Sequence, residues 1–128
     1  MCIRDRYGPE DFAFHDQHGL EVLRIEPIKE RGLAWAAERL ARLRGMPLYC
    51  SFDIDACDPA YAPATGTPEV GGLSSWEALS LVRSLVGTSL VGADVVEVCP
   101  PYDGPGQITS LLAANLAFEI LSVMALES

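Results

Sequence analysis

The sequence predicts an α/β fold, three-layer αβα around a parallel sheet, and three observations carry that expectation. Apolar runs of strand length alternate with segments of helical periodicity, the pattern of successive βαβ units. The run "PLYCSFDID" at 47–55 is apolar on both faces, as a strand covered by helices on either side must be. Two runs end in carboxylates followed by Pro- and Gly-rich loops, and ligands of open α/β sheets bind beyond the carboxyl ends of the strands.

In chain order, "GPEDFAFHDQHG" (8–19) predicts a short helix: Pro9 stands in a first turn, acidic residues follow, and Gly19 is the stop. "LEVLRI" (20–25) alternates and predicts a strand. "PIKERGLAWAAERLARLRG" (27–45) places Leu33, Ala36, Ala37, Leu40 and Leu43 at helical spacing, with Gly45 as its cap. After the strand at 47–55 and its loop, Ser74 or Ser75 caps a helix through "WEALSLVRSLVG" (76–87), and Glu77 supports its first turn. "SLVGADVVEV" (89–98) is a further buried strand, "CPPYDGPGQ" (99–107) a second rigid loop, and "ITSLLAANLAFEILSVMAL" (108–126) a final, mostly apolar helix. The sheet is thus expected to have about three strands.

A chain of 128 residues is one ordinary domain. Its net charge of −9 argues against a nucleic-acid partner, which requires a basic face. No apolar stretch approaches the ~20 residues of a membrane span, so no membrane partner is expected. Cys2, Cys50, Cys57 and Cys99 form no CxxC pair, which favours reduced thiols and a cytoplasmic compartment. The opening "MCIRDR" resembles a translated sequencing adapter, so residues 1–6 are set aside as a non-native leader and the domain is taken as 7–128.

The chemistry concentrates in "SFDIDACDPAYAPATGTPEVGG" (51–72), three aspartates within six positions followed by a stiff loop. Residues i and i+2 of a strand project to one side about 7 Å apart. Asp53 and Asp55 are therefore expected to project together, Phe52 and Ile54 the other way. Two adjacent carboxylates repel, and something cationic should compensate. Such oxygen ligands suit Mg²⁺ or Mn²⁺, and one carboxylate can bridge two ions roughly 3.5–4 Å apart. The plainer alternative is that one aspartate caps a turn and the others are solvated. A calcium loop fails because Cys57 and Asp58 occupy its third ligand and its glycine. A phosphoryl-transfer strand end would need a downstream lysine, and none follows Lys29.

This segment resembles, gap-free over about twenty residues, the signature of the ureohydrolase family: arginases, agmatinases and related amidinohydrolases. "DVVEVCPPYDGPGQITSLLAANLAFEIL" and "YGPEDFAFHDQHGLEVL" extend the resemblance over nearly all of residues 7–126. It implies an arginase-like αβα fold, represented here by its C-terminal part. It implies that Asp53 and Asp55 are the two late metal ligands of a binuclear Mn²⁺ site, Asp53 bridging. Thr67 and Glu97 fall where the family lines its substrate pocket, with Glu97 facing the guanidinium from across the crevice. The implied reaction is metal-assisted hydrolysis of a guanidino compound to urea and an amine. "PATGTP" is arginase-like, whereas "PEVGG" and "EVCPPYD" resemble the agmatinase branch, which is preferred.

The resemblance also implies a homo-oligomer, trimer or hexamer. The family's remaining ligands, in "GGDHS"-like and "DAHxD"-like motifs, are not in this sequence, so the chain alone is expected to be inactive. The alternative is a non-catalytic ureohydrolase-like subunit or interaction domain. His15 and His18 are expected to be surface or capping residues, Asp58 support for the metal ligands or for the turn, Cys57 and Cys99 small buried side chains, and Trp35 and Trp76 packing residues. Tyr102 and Asp103 are expected against substrate or a neighbouring subunit.

Overall fold

The computed structural model describes residues 9–126. Residues 1–8, with the expected leader, lie outside the described residues, as do 127 and 128. The helices are α1 (Pro9–His18), α2 (Ile25–Arg31), α3 (Leu33–Leu40), α4 (Ser75–Arg83) and α5 (Ile108–Leu126). The strands are β1 (Pro47–Asp53) and β2 (Ser89–Val96). Three 3-10 turns cover Ala41–Leu43, Ile54–Ala56 and Pro100–Tyr102.

β1 and β2 pair in parallel, Asp53 opposite Val96, so both strands end on the same edge. The expected third strand is absent from the described residues. "LEVLRI" buries Leu23 and Ile25, but Leu20–Arg24 form no strand and Ile25 opens α2. Alternation shows which side chains are buried, whereas a strand exists only when its backbone finds a ladder partner. The single helix expected over 27–45 is also broken. Gly32 adopts φ 83, a left-handed conformation that glycine enters without a Cβ penalty, ending α2 and starting α3.

The core is formed by α2, α3, α4 and α5 packing beside one face of the pair, around Ile28, Ala36, Leu73, Ala78, Leu116 and Ile120. β1 alternates exposed and half-buried along its length rather than being buried on both faces. Tyr49 lies across Gly92, and both Tyr49 (2.9 Å) and Ser51 (2.6 Å) donate hydroxyls to Asp94 on the exposed face. Among the described residues, helices cover one face of the pair where covering on both is expected.

α4 begins with a capping box. Ser74 Oγ accepts the Glu77 N–H at 3.2 Å, and Glu77 Oε2 accepts the Ser74 N–H at 2.7 Å, satisfying two donors that a helix start leaves unpaired. Lys29 of α2 binds the same Glu77 carboxylate at 2.6 Å. Arg83 of α4 grips Glu119 of α5 with both Nε and Nη2. By length and composition α5 is apolar enough to cross a membrane, contrary to the expectation that no stretch approaches that size. A third of that span is buried, through Thr109, Leu112, Leu116, Ile120 and Val123, against α4 and β2. Ile108, Leu111, Phe118, Leu121 and Leu126 are exposed. Trp35 packs against the core under Arg39 at 4.5 Å and Arg31 at 5.2 Å. Trp76 is 65% exposed and does not pack as expected, because its place in the first turn of α4 faces away from the core.

The loop after β1 is closed at its neck. Leu73 N–H donates to the Ala56 carbonyl (2.8 Å) and Asp58 N–H to the Leu73 carbonyl (2.9 Å). That approach leaves no room for a side chain at residue 72. A Cβ on Gly72 would lie 2.7 Å from Ala56 O and from Asp58 N. Gly72→Ala is therefore expected to destabilise the fold by about 1–3 kcal/mol, read as a lower urea midpoint. An unchanged midpoint would mean that the neck is not closed in solution.

Candidate metal and substrate site

The site is built where β1 ends. Asp53 is its last residue and points its carboxylate back along the turn, where Oδ1 accepts the Asp55 N–H at 2.9 Å. Asp55 is not on the strand. It sits in the 3-10 turn Ile54–Ala56, so the two-residue strand spacing does not bring the pair together. The Asp53 side chain instead caps the turn, as short aspartates do readily, and both residues line the same cleft. Ile54 is fully buried and anchors the turn.

Asp55 is held by hydroxyls. Thr65 Oγ1 donates to its Oδ1 and Thr67 Oγ1 to its Oδ2. Thr65 is buried and Thr67 exposed. Asp53, Asp55 and Thr67, with Glu69, line one end of an open cleft of about 290 Å³. Its other walls are apolar and include Leu48, Phe52, Leu81 and Leu85. Glu97 is not in that lining. It follows Val96, the register partner of Asp53, so it stands beside the aspartates on the neighbouring strand end rather than across a crevice. Its backbone is left-handed at φ 65. Such a conformation costs an ordinary residue roughly 1–2 kcal/mol, and here it turns an exposed glutamate out of the sheet edge.

Asp58 supports the loop. Its carboxylate accepts the N–H groups of Ala60 (2.8 Å) and Gly71 (2.7 Å), joining the two ends of the segment. Asp103 caps α5, accepting the Thr109 and Ser110 N–H groups at 3.2 and 2.8 Å and the Ser110 hydroxyl at 2.9 Å. That bonding gives Asp103 a structural role, while Tyr102 beside it is 67% exposed. Cys57 is fully buried, and burial, with a further contribution from the Asp53 charge, pushes its thiol up to about 12. It is a core side chain and not a nucleophile. Cys99 is half-buried and bonds through its backbone, its N–H donating to the Ala64 carbonyl at 2.9 Å.

Among the described residues no three His, Cys, Asp or Glu side chains converge as a metal cluster. The donors present still suit a hard divalent ion, since both are carboxylates and oxygen ligands are what such an ion takes. Asp53 and Asp55 would supply part of the coordination sphere. His15 and His18 lie on α1 with the Phe14 ring, the His18 ring at 4.3 Å and the His15 ring at 6.4 Å.

The arginase-family model matches residues 1–122. The chain belongs to the arginase family. Its relatives include a guanidinopropionase of Pseudomonas aeruginosa, 48% identical over 120 residues, 93% of this chain and 37% of that protein. A structure described as a hypothetical agmatinase from Burkholderia thailandensis is 44% identical with a TM-score of 0.82, covering 93% of this chain and 36% of the other. Proclavaminate amidino hydrolase from Streptomyces clavuligerus superimposes with a TM-score of 0.85 at 41% identity, over 95% of this chain and 41% of its own. The chain thus spans little more than a third of the first two and two fifths of the third. The αβα class expected from the sequence holds, with a two-stranded parallel sheet among the described residues.

Within this arginase-family chain, sequence reasoning missed Thr65 and Glu69. Thr65 lies in the quoted signature, yet its burial and its bond to Asp55 depend on the loop folding back. Glu69 carried no signal beyond its place in "PATGTPE". The acid response follows from Asp58. The Ala60 N–H first, then that of Gly71, hold its carboxyl below the usual aspartate range. A folded pKa below the unfolded one adds stability above about pH 4, and that stability is lost as pH falls through the folded value. Asp103 acts in the same direction: burial raises its pKa, but the bonds from Ser110 and Thr109 outweigh it. Melting temperature is therefore expected to fall between about pH 4 and 2. In Asp58→Asn that slope should be shallower but not flat, since Asp103 remains. An unchanged slope would remove Asp58 as a contributor.

Proposed function

We propose that this chain forms the C-terminal part of a manganese-dependent amidinohydrolase of agmatinase type, which hydrolyses a guanidino compound to urea and an amine. The observation that carries the reading is the cleft at the end of β1 lined by Asp53, Asp55 and Thr67, with Glu97 one residue past the register partner of Asp53 on β2. In the complete protein Asp53 and Asp55 hold Mn²⁺ together with ligands from outside this chain. The bound metal pair supplies an activated water and Lewis acidity.

The residues of this chain bind and orient. Glu97 offers a planar carboxylate to a planar guanidinium, a charge-assisted two-pronged pair that fixes the direction of the guanidinium carbon. Thr67 stands at the cleft, its hydroxyl within reach of both Asp55 and a ligand. The substrate is a small guanidino compound, agmatine in preference to arginine. Support for this class comes from relatives named guanidinopropionase and agmatinase. The complete protein is a homo-oligomer, trimer or hexamer. It works in the cytoplasm, where Cys50, Cys57 and Cys99, unpaired here, stay reduced.

Two substitutions in the complete protein test the division of roles. Asp53→Asn is expected to remove most of the bound manganese and the activity with it. Glu97→Gln is expected to keep manganese near wild type while kcat/KM falls by roughly 10², since a charge-assisted pair contributes about 1.5–3 kcal/mol and misplacement adds to the loss. Manganese lost from Glu97→Gln would move this residue into the ligand set. Kinetics unchanged with agmatine, guanidinobutyrate and arginine alike would reduce it to a strand end. Wild-type protein without hydrolytic activity on any of them would favour the non-catalytic subunit.

A further inference from the structure

Resting on the manganese reading above, we infer that Thr65 is a positioning residue, which aims Asp55 at the metal and is itself fixed from the substrate side of the site. Thr65 is 3% exposed and donates its hydroxyl to Asp55 Oδ1. Thr67 is exposed and donates to Oδ2. The two hydroxyls are not equivalent. An exposed hydroxyl exchanges a carboxylate for water or a ligand at small cost, because solvent offers comparable partners. A buried one cannot, since leaving Asp55 would strand a polar group away from water. Thr65 therefore sets Oδ1 permanently, while Thr67 is the partner that can turn to a ligand.

What fixes Thr65 is its neighbour. Ala64 is fully buried, and its N–H donates to Thr109 Oγ1 at 3.0 Å, in the first turn of α5. Its carbonyl accepts the Cys99 N–H at 2.9 Å, two residues beyond Glu97. The backbone that presents the Thr65 hydroxyl is thereby tied to the strand end that carries the substrate-facing carboxylate. Asp55 is oriented relative to Glu97 and not merely relative to its own turn. Each carboxylate oxygen accepts a hydroxyl, so the plane of the Asp55 carboxylate is set before a cation arrives. Groups that orient a metal ligand from behind typically change metal affinity by about 10–100-fold when removed.

The test uses the complete protein, stripped of metal and titrated with Mn²⁺, with free Mn²⁺ followed by its paramagnetic resonance signal. Thr65→Val keeps the volume and removes the hydroxyl, and it is expected to weaken Mn²⁺ binding by about 10–100-fold. Thr65→Ser restores the donor and is expected to bind within about threefold of wild type. The melting temperature of the metal-free proteins separates out a purely structural role, which would lower it in Thr65→Val while leaving Mn²⁺ affinity of the folded protein unchanged. Thr65→Val binding Mn²⁺ as tightly as wild type overturns the inference. So does a Thr65→Ser protein that binds as weakly as Thr65→Val. If Thr65→Val does not fold, Thr65→Cys takes its place, having similar size and only a weak donor. Wild-type affinity there overturns the inference, and a tenfold or greater loss supports it. Wild-type protein that takes up no Mn²⁺ overturns the manganese reading and this inference together. Equal uptake by wild type and Thr65→Val overturns this inference alone.

Discussion

Mutual repulsion of three carboxylates at one strand end is the constraint around which this part of the chain is arranged. Asp53, Asp55 and Asp58 fall within six residues, and each is provided with a different set of donors. Asp53 takes a backbone N–H, Asp55 two hydroxyls, and Asp58 two backbone N–H groups. Hydrogen bonds to a carboxylate offset such repulsion. The negative cluster is thus compatible with a folded loop, and the same donors dictate where each charge points.

The second consequence is connectivity. The loop closes at Ala56–Leu73, and at Ala64 it is bonded to both α5 and the segment after β2. β1 and β2 already share an edge, so the loop is held from three directions. Asp103, bonded into the first turn of α5, secures the helix that supplies Thr109. The loop is thereby bonded to both neighbouring segments as well as to its own neck.

Much of this was legible in the sequence, and the failures share a physical origin. Features settled by a few neighbouring residues were read well, among them the Ser74–Glu77 cap, the bounds of α5 and the turn role of Asp58. Features that depend on distant partners were not. Leu20–Arg24 alternates like a strand, yet no ladder partner stands beside it among the described residues. Gly32 divides a helix that side-chain periodicity alone would carry through. Asp55 left the strand because a cap formed by Asp53 competes with strand continuation. Trp76 is exposed although its size suggests packing. The pairing of Thr65 with Asp55 crosses ten residues, and no local pattern announces it.

Under the guanidinium-binding role proposed for Glu97, its left-handed backbone sets folding and function against each other at one position. Glycine occupies such a conformation without a Cβ penalty, and asparagine tolerates it better than glutamate does. A variant library ranked by thermal stability alone would drift away from glutamate here and would report the drift as an improvement. Consensus or stability-driven redesign of this chain therefore needs position 97 held constant. The same strain marks where a gain in melting temperature ceases to be a measure of a better protein.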